Sequence, residues 1–348
     1  MKGRVVILGV LRGREAAALL VDGRLEDLLI DPGAAVPLAP GAILRGVVDR
    51  QMKGQGGVFL RLPGGEKGFL RETGGLAPGQ AVLVQVSAGA EPGKAVPVSA
   101  RLLFKSRYAI VTPDVPGLNV SRRIREAETR ARLAEIAAAA MAGSTAGLIL
   151  RSACAAAEAE EIAADIAQMR ALAEAVLADL EGEPELLFDA PGPHEEAWRD
   201  WAEPAPDEVA DAPGAMEAHG VEAALAALLT PRVALPIGAH MQIEPTRALV
   251  AVDVNTGSDH SPAAALKANI AAARELPRQL RLRGLGGQIT IDFAPMAKKD
   301  RATLEQQLRA AFKGEAAETS LAGWTPLGNF ELSRKRDRVP LAAILGGA

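Results

Sequence analysis

Two aspartates with similar surroundings are the residues of this chain best suited to metal chemistry. Asp253 follows the apolar run ALVAV (248–252), and Asp292 follows the run QITI (288–291). Such runs are typical of strands buried on both faces of a sheet, where an ionised carboxylate is costly unless a cation compensates it. The pair therefore predicts a shared cation, although either aspartate alone could cap a turn or pair with a buried arginine.

A single amphipathic helical pattern separates the two runs. Ser261 suits its N-cap and Pro262 its first turn, and glycines at 284, 286 and 287 end it. A strand, a helix and a strand in this order form a right-handed crossover between parallel strands. Both aspartates are therefore expected at the carboxyl ends of neighbouring strands, which is where open sheets bind ligands.

An amide completes the predicted metal site. Asn255 follows Asp253 by two residues, so strand alternation places both side chains on one face. Carboxylate oxygens are suitable ligands for Mg²⁺ or Mn²⁺. We therefore expect a magnesium site, with manganese as the alternative ion and an amide beside it to position a substrate.

The helix between the aspartates carries a basic stripe. Lys267, Arg274, Arg278 and Arg281 are spaced by seven, four and three residues, which aligns them on one face. A basic stripe alone is usually a solvated surface, but beside a metal site it favours binding of a polyanion. Pro277 lies within the same pattern and is expected to kink the helix or break it into two segments.

These segments resemble the ribonuclease E/G family. The resemblance is carried by RALVAVDVNTG (247–257), NIAAARELPRQLRLRGLGGQITIDFAPM (269–296) and NFELSRKR (329–336). It implies a Mg²⁺-dependent endoribonuclease that cleaves single-stranded RNA in rRNA or mRNA processing or decay. In that family, the positions of Asp253 and Asp292 hold one ion and the position of Asn255 orients the scissile phosphate. Metal-assisted hydrolysis needs no histidine or cysteine.

The resemblance also implies an α+β, multi-domain fold, with an OB-fold β-barrel inserted in a mixed α/β catalytic core that has ribonuclease-H-like and DNase I-like parts. Short strand patterns with turns at RG (12–13) and DG (22–23) independently indicate β-structure and a small barrel in the N-terminal third. The expected divisions are 1–35, an N-terminal β segment packing on the core; 36–100, the OB-fold RNA-binding barrel; 101–181, an α/β region like the family's 5′ sensor; 182–220, a contracted linker rich in proline and acid; and 221–348, the catalytic α/β domain.

Two phenylalanines fall in the barrel strands of a chain with only 3% aromatic residues. Core packing is the ordinary explanation for Phe59 and Phe69. The resemblance implies instead that both rings stack on RNA bases and that Lys94 binds the RNA backbone, which suits a nuclease of broad specificity.

Arg151 and Ser152 follow the apolar run GLIL (147–150). The family uses an arginine and a threonine here to receive the 5′ monophosphate of an RNA end, and serine keeps the hydroxyl. An arginine in this place could equally form a bridge to a carboxylate, so both interpretations of Arg151 stay open.

Two positions depart from the family pattern. Pro295 stands where a second acidic residue is typical, and Arg247 replaces a usual glutamate. Either change could weaken the residues that orient the metal ligands. The alternative prediction is a catalytically degenerate RNA-binding protein of the same family, which kept the OB-fold and lost turnover through truncation. A DNA-directed phosphodiesterase is disfavoured by the barrel.

Composition narrows the remaining classes. The net charge of −4 argues that RNA binds only to local patches. A single cysteine, Cys154, excludes an intramolecular disulfide, and His194, His219, His240 and His260 lack metal-binding spacing, so they are expected in loops or on the surface. Because the family's Cys-Pro-x-Cys zinc-link is absent, we expect no structural zinc and a monomer or weak homodimer. We also expect a cytoplasmic protein without membrane contact.

Overall fold

The computed structural model describes residues 3–51, 56–71, 75–90 and 93–346. Two compact units divide the chain: Met1–Ala35 with Ala210–Ala348, and Val36–Val209. Both contain strands and helices, which confirms the predicted mixed α+β class. Within the described parts, no helix is long and apolar enough to cross a membrane.

Strands outnumber helices along the described part of the chain. The strands are β1 (Arg4–Leu11), β2 (Arg14–Val21), β3 (Arg24–Ile30), β4 (Ile43–Gln51), β5 (Val58–Arg61), β6 (Lys67–Leu70), β7 (Ala81–Val86), β8 (Val96–Ser99), β9 (Phe104–Lys105), β10 (Ala109–Thr112), β11 (Leu118–Val120), β12 (Gly147–Leu150), β13 (Glu185–Phe188), β14 (Glu208–Ala210), β15 (Arg232–Ala234), β16 (His240–Pro245), β17 (Val250–Asn255), β18 (Gly287–Asp292), β19 (Thr319–Trp324) and β20 (Phe330–Arg334). The helices are α1 (Ala127–Ala140), α2 (Ala159–Ala178), α3 (Pro193–Trp201), α4 (Ala215–Ala218), α5 (Val221–Leu228), α6 (Pro262–Leu282), α7 (Arg301–Phe312) and α8 (Leu341–Ile344).

A five-stranded barrel forms the first part of the Val36–Val209 unit. The strands pair in the order β4, β5, β6, β8, β7, and β7 returns to pair with β4, which closes the barrel. The β6–β8 pair is parallel and the other pairs are antiparallel. This topology is consistent with the predicted OB-fold. Alternating apolar side chains fill the interior, including Leu44, Val48, Val58, Leu60 and Leu70.

The rest of that unit is a small sheet packed against helices. β11, β12, β10 and β9 lie side by side, and α1 and α2 cover them. Leu133, Ile162 and Ile166 are fully buried in this core. Cys154 is buried there as well, and burial raises the pKa of its thiol to about 11, so the thiol stays protonated at neutral pH.

The segment 182–220 is more structured than its linker-like composition suggests. It contains β13, α3, β14 and α4, and both Ala197 and Trp201 of α3 are buried. The barrel residue Arg45 binds the beginning of this segment. Its guanidinium donates to the carbonyl oxygens of Asp179 (3.0 Å) and Glu183 (2.8 Å) and forms an ion pair with Glu185. β13 also pairs with β4 at the edge of the barrel.

The C-terminal sheet of the other unit has the order β15, β16, β17, β18, β20, β19. β17 and β18 are parallel and joined through α6, as the strand, helix and strand pattern predicts. Ser261 caps α6 by accepting a hydrogen bond from the Ala264 amide at 3.2 Å. The helix continues through Pro277, so Pro277 does not break it into two segments, the second of the two predicted outcomes. Pro277 is buried with its neighbour Leu276, and this packing offsets the lost backbone hydrogen bond.

The expectation that these strands are buried on both faces is also wrong. Val250, Val252 and Val254 pack under α6 and α7, whereas the intervening Asp253 is exposed. β18 alternates in the same way, with Ile291 buried and Asp292 exposed. Because helices cover only one face of this sheet among the described residues, burial alone does not demand a cation for either aspartate.

Candidate functional site

The two predicted metal ligands are brought together by strand register. Asp253 pairs directly with Asp292 across the parallel strands β17 and β18, each at the carboxyl end of its strand. Neighbouring strands lie about 4.8 Å apart and paired residues point to one face. Two exposed carboxylates therefore stand side by side, and neither has an ion-pair partner within the described residues. Their mutual repulsion favours a shared cation.

Asn255 is oriented by the first of these carboxylates. Its Nδ2 donates a hydrogen bond to Asp253 Oδ2 at 2.7 Å. This contact fixes the amide, turns its Oδ1 away from the carboxylate and steadies the Asp253 rotamer. The side chain is half-buried, so part of it remains accessible to a ligand.

The neighbouring strand β16 adds two residues that the sequence did not single out. Gln242 lies directly across from Asp253, and His240 lies across from Asn255. His240 was expected in a loop or on the surface, but it is half-buried in a strand, and its Nδ1 is buried without a hydrogen-bond partner among the described residues. Only the strand pairing could have revealed these neighbours.

A buried asparagine holds the loop that follows Asp292. Asn269 of α6 is fully buried, and its side chain donates to the Ala294 carbonyl (2.9 Å) and accepts from the Ala294 amide (3.0 Å). This two-way contact ties the end of β18 to the helix. Asn269 lies within the matching segment, yet its type and spacing gave no signal of this role.

The donor set fits a hard divalent cation that keeps part of its water shell. Among the described residues, no cluster of three or more His, Cys, Asp or Glu side chains could hold a metal ion. Two adjacent carboxylates are nevertheless what Mg²⁺ commonly uses, since it is often bound through one or two carboxylates together with substrate phosphates. The site therefore fits an ion that is shared with a phosphate-bearing ligand.

The basic stripe of α6 divides into two kinds of residue. Lys267 and Arg274 are exposed, and Arg274 donates to Gln307 at 3.0 Å. Arg278 and Arg281 instead make contacts within the protein. Arg278 donates to Glu275 Oε1 at 3.0 Å through its Nε, and Arg281 donates to the Glu26 carbonyl at 2.8 Å.

Further ion pairs hold Arg281 in place. It contacts Glu315 and approaches Asp27 at 3.8 Å. The Glu315 side chain is only 8% exposed and also accepts a hydrogen bond from Arg334 at 2.9 Å. These contacts favour a structural role for Arg281, rather than the solvated surface that is usual for a basic stripe.

The two barrel phenylalanines lie outside the barrel core. Phe59 and Phe69 are cross-strand partners on β5 and β6, and both are half-exposed while Val58, Leu60 and Leu70 point inward. Their ring centroids are 5.5 Å apart and the rings are tilted by 53°. A pair of outward-facing rings on these strands forms a surface on which bases could stack.

Glycine and arginine complete this surface. A Cβ at Gly57 would lie 2.6 Å from the Phe69 ring, so only glycine allows the ring to cover the backbone there. The Arg50 guanidinium lies 5.1 Å from the centre of Phe59, a cation–π contact that sequence reasoning missed. Lys94 is exposed on the loop before β8.

Arg151 forms the carboxylate bridge that the sequence left open. Its guanidinium forms an ion pair with Asp200 and donates to the carbonyl oxygens of Ser106 (2.7 Å) and Arg199 (3.1 Å). Burial disfavours ionised Asp200, but hydrogen bonds and charge from Arg199 and Arg151 hold the pKa of its carboxyl below the usual value. Ser152 is half-buried at the start of a short 3-10 helix. A phosphate at Arg151 would have to compete with Asp200.

Comparison with known proteins agrees with these features. The model of the "Ribonuclease E/G family" matches residues 104–213 and 208–337. Ribonuclease E of Synechocystis sp. is 29% identical, with 95% of this chain and 57% of the relative covered. Ribonuclease G of Haemophilus influenzae is 29% identical, with 77% of this chain and 62% of the relative covered. The chain thus spans somewhat more than half the length of these curated relatives.

Proposed function

This chain belongs to the ribonuclease E/G family, as its sequence predicts, and we propose that it is an endoribonuclease that hydrolyses single-stranded RNA with the help of a divalent cation. The observation that carries the proposal is the direct pairing of Asp253 with Asp292 at the carboxyl ends of parallel strands. The relatives named ribonuclease E and ribonuclease G support the reaction class. Mg²⁺ is the proposed ion and Mn²⁺ its substitute.

The proposed chemistry assigns a separate task to each residue of the site. Asp253 and Asp292 would hold the ion through their exposed carboxylates. When bound, a divalent cation supplies Lewis-acid stabilisation of charge on the phosphate and makes water more acidic. Asn255, held by its hydrogen bond to Asp253, would use its remaining polar atoms to orient the scissile phosphate. Asn269 would keep the loop after Asp292 in place.

RNA is proposed to approach along two surfaces. On the barrel, Phe59 and Phe69 would stack on successive bases, and Lys94 would contact a phosphate. The half-exposed positions of both rings support this assignment over core packing. On α6, the exposed Lys267 and Arg274 would contact the RNA backbone. Stacking and backbone contacts tolerate many base sequences, which suits RNA processing or decay.

The finer parts of the family architecture are proposals as well. We propose that the α/β core outside the barrel includes the family's ribonuclease-H-like and DNase I-like parts. Arg151 and Ser152 are proposed to sense a 5′ phosphate only when the bridge to Asp200 opens. The proposed location is the cytoplasm, because RNA turnover takes place there.

Cleavage of a labelled single-stranded RNA in the presence of Mg²⁺ or EDTA tests the proposed function. Wild-type protein should cleave only with the metal, and Asp253→Asn and Asp292→Asn should each slow cleavage at least about a hundredfold, because metal-ion catalysis is worth several kcal/mol. Asp22→Asn is the matched control, since Asp22 lies in a turn with φ of 51° that asparagine also accepts.

The RNA affinity of the same proteins, measured under conditions that prevent cleavage, distinguishes an active enzyme from a degenerate RNA-binding protein. Wild-type binding without any cleavage would indicate a degenerate RNA-binding protein. Full activity in either site variant would refute the assignment of Asp253 and Asp292.

A further inference from the structure

A second charged site lies on the helix side of the C-terminal sheet. An open pocket of about 690 Å³ is bordered by α5, β15, α6 and the beginning of β3. Its walls carry five arginines and one acidic residue, Glu275. Its volume lies within the range of small-molecule binding sites, about 300 to 1,000 Å³. The packed sheet separates it from Asp253 and Asp292, whose side chains are on the opposite face.

Glu275 neutralises only part of this positive charge. It accepts hydrogen bonds from Arg278 Nε at 3.0 Å and Gln279 Nε2 at 2.8 Å, and it forms an ion pair with Arg24. Burial opposes its ionisation, but the contacts with Arg278, Gln279 and Arg24 hold the pKa of the carboxyl below its usual value. Glu275 therefore stays negative at neutral pH, and its carboxylate is occupied by the contacts with Arg24, Arg278 and Gln279.

The other three arginines of the pocket have no carboxylate partner within the described residues. They are Arg232, Arg274 and Arg283. Arg232 is exposed at the start of β15, and the side-chain hydrogen bond of Arg274 in the described part of the chain goes to the neutral Gln307. A pocket with this much unpaired positive charge attracts an anion.

Arg283 is the most informative of the three, because its residue is only 8% exposed. Its Nε donates to Gln279 Oε1 at 3.1 Å and its Nη1 to the Thr230 carbonyl at 2.8 Å, both neutral acceptors. Nη2 has no partner among the described residues. Burial lowers the pKa of this guanidinium to about 10, so it remains charged at neutral pH. A buried arginine without a carboxylate is costly, and an anion in the pocket would offset that cost.

The remaining wall is apolar. Leu25, Ala227, Val233, Leu235 and Ala271 line it. An inorganic anion would leave this wall unused, whereas a nucleotide has both a charged phosphate and a largely apolar ring system. Arginine guanidinium groups also stack on bases, so the pocket needs no aromatic residue to hold one.

We propose that this pocket binds a phosphate ester of nucleotide size, with Arg232 and Arg283 contacting the phosphate. Two sources share this chemistry: a free mononucleotide, and a nucleotide unit of an RNA chain. The site lies on the other face of the sheet from the metal site and uses none of its residues, and it shares only Arg274 with the RNA-binding surface proposed above.

Isothermal titration calorimetry of the full chain, in the presence of EDTA so that no RNA is cleaved, tests the pocket. The probes are AMP, adenosine, inorganic phosphate and a short oligoadenylate. AMP should bind more tightly than phosphate, and adenosine should bind weakly. Arg232→Gln should weaken AMP binding about tenfold, the usual loss for a charged hydrogen bond. Arg283→Gln should weaken it at least as much.

Arg232→Gln is the decisive variant because this exposed residue can change without disturbing the fold. Arg309→Gln, an exposed arginine of α7 outside the pocket, is the matched control and should bind AMP like the wild type. If only oligoadenylate binds and Arg232→Gln weakens it tenfold, the source is an RNA chain. The proposal is overturned if Arg232→Gln leaves the affinities for AMP and for oligoadenylate unchanged. It is also overturned if Arg309→Gln lowers these affinities as much as Arg232→Gln does.

Asp253→Asn separates this proposal from the proposed function. It should lose cleavage and keep wild-type affinity for AMP. Were cleavage to persist in Asp253→Asn while Arg232→Gln still weakened AMP binding, the metal-site assignment would fail and the pocket would stand.

Discussion

On the open face of the β15–β20 sheet, Asp253 and Asp292 stand together without a cationic partner in the described residues. On the face covered by α6, Arg278 and Arg281 are held by carboxylates and carbonyl oxygens. Charges that the protein leaves uncompensated are available to a ligand, whereas compensated charges hold the fold together. The pocket shows the same contrast. Arg283 has no carboxylate partner among the described residues, whereas Arg278 is held by Glu275.

The largest effect on stability is expected from removing a compensated charge. Among the described residues, Arg281→Gln leaves the buried carboxylate of Glu315 with Arg334 as its one ion-pair partner, and it removes two contacts with the Glu26 carbonyl. The free energy of unfolding should fall by about 3 kcal/mol, measured by urea denaturation. Asp253→Asn should change it by less than about 1 kcal/mol, because that side chain is exposed. A normal stability with a large loss of RNA affinity would make Arg281 an RNA-binding residue instead.

The barrel phenylalanines should show the opposite pattern. Phe59→Ala and Phe69→Ala should each weaken binding of single-stranded RNA by about 1 to 3 kcal/mol, the worth of one stacked base. Circular dichroism and thermal unfolding should remain close to wild type, because neither ring belongs to the barrel core. Phe312→Ala, at a buried position of α7, is the control that should destabilise the protein without a specific effect on RNA. Unchanged RNA binding in both barrel variants would assign the rings to packing.

A smaller effect is expected from the exposed end of the α6 stripe. Lys267→Gln should reduce the slope of log affinity against log salt by roughly 0.7, as one phosphate contact to single-stranded RNA requires. Stability should not change, since Lys267 is exposed. Comparing the salt dependence of wild type, Lys267→Gln and Arg309→Gln measures this. Equal slopes in all three would remove Lys267 from the RNA-binding surface.

The pH dependence of stability should report the smallest effect. The pKa of Glu275 is lowered in the folded protein, so its stabilisation is fully present above its ordinary pKa of 4.5 and is lost as the pH falls through the lower folded value. At pH 7, Glu275→Gln should therefore have a lower free energy of unfolding than the wild type. This difference should shrink as the pH falls into the acid range. A difference that stays constant throughout the acid range would mean that the ionised carboxylate is not the stabilising form.

Local patterns were enough to predict the paired aspartates and the closed barrel. Apolar runs around one helical pattern led to parallel strands, and their ends brought Asp253 and Asp292 into register. The exposure of the sheet's second face could not be predicted, because it depends on which helices cover the sheet. Neighbours across strands, such as His240 beside Asn255, depend on register for the same reason.

The partners of the arginines were beyond sequence reasoning as well. The backbone oxygens that hold Arg278 and Arg281 come from Leu25 and Glu26, 253 and 255 positions away. A helical stripe records which side chains share a face, but not what that face contacts. Likewise, nothing in the pattern around Arg151 identified Asp200 as its partner.

Direct measurement of metal binding tests the central claim, that Asp253 and Asp292 together hold one divalent ion. Mn²⁺ titration followed by electron paramagnetic resonance should find one specific site in wild type and in Asp22→Asn, displaced by Mg²⁺. Asp253→Asn and Asp292→Asn should each weaken that site at least about tenfold, because each removes one carboxylate. Wild-type Mn²⁺ affinity in both single variants would contradict the account.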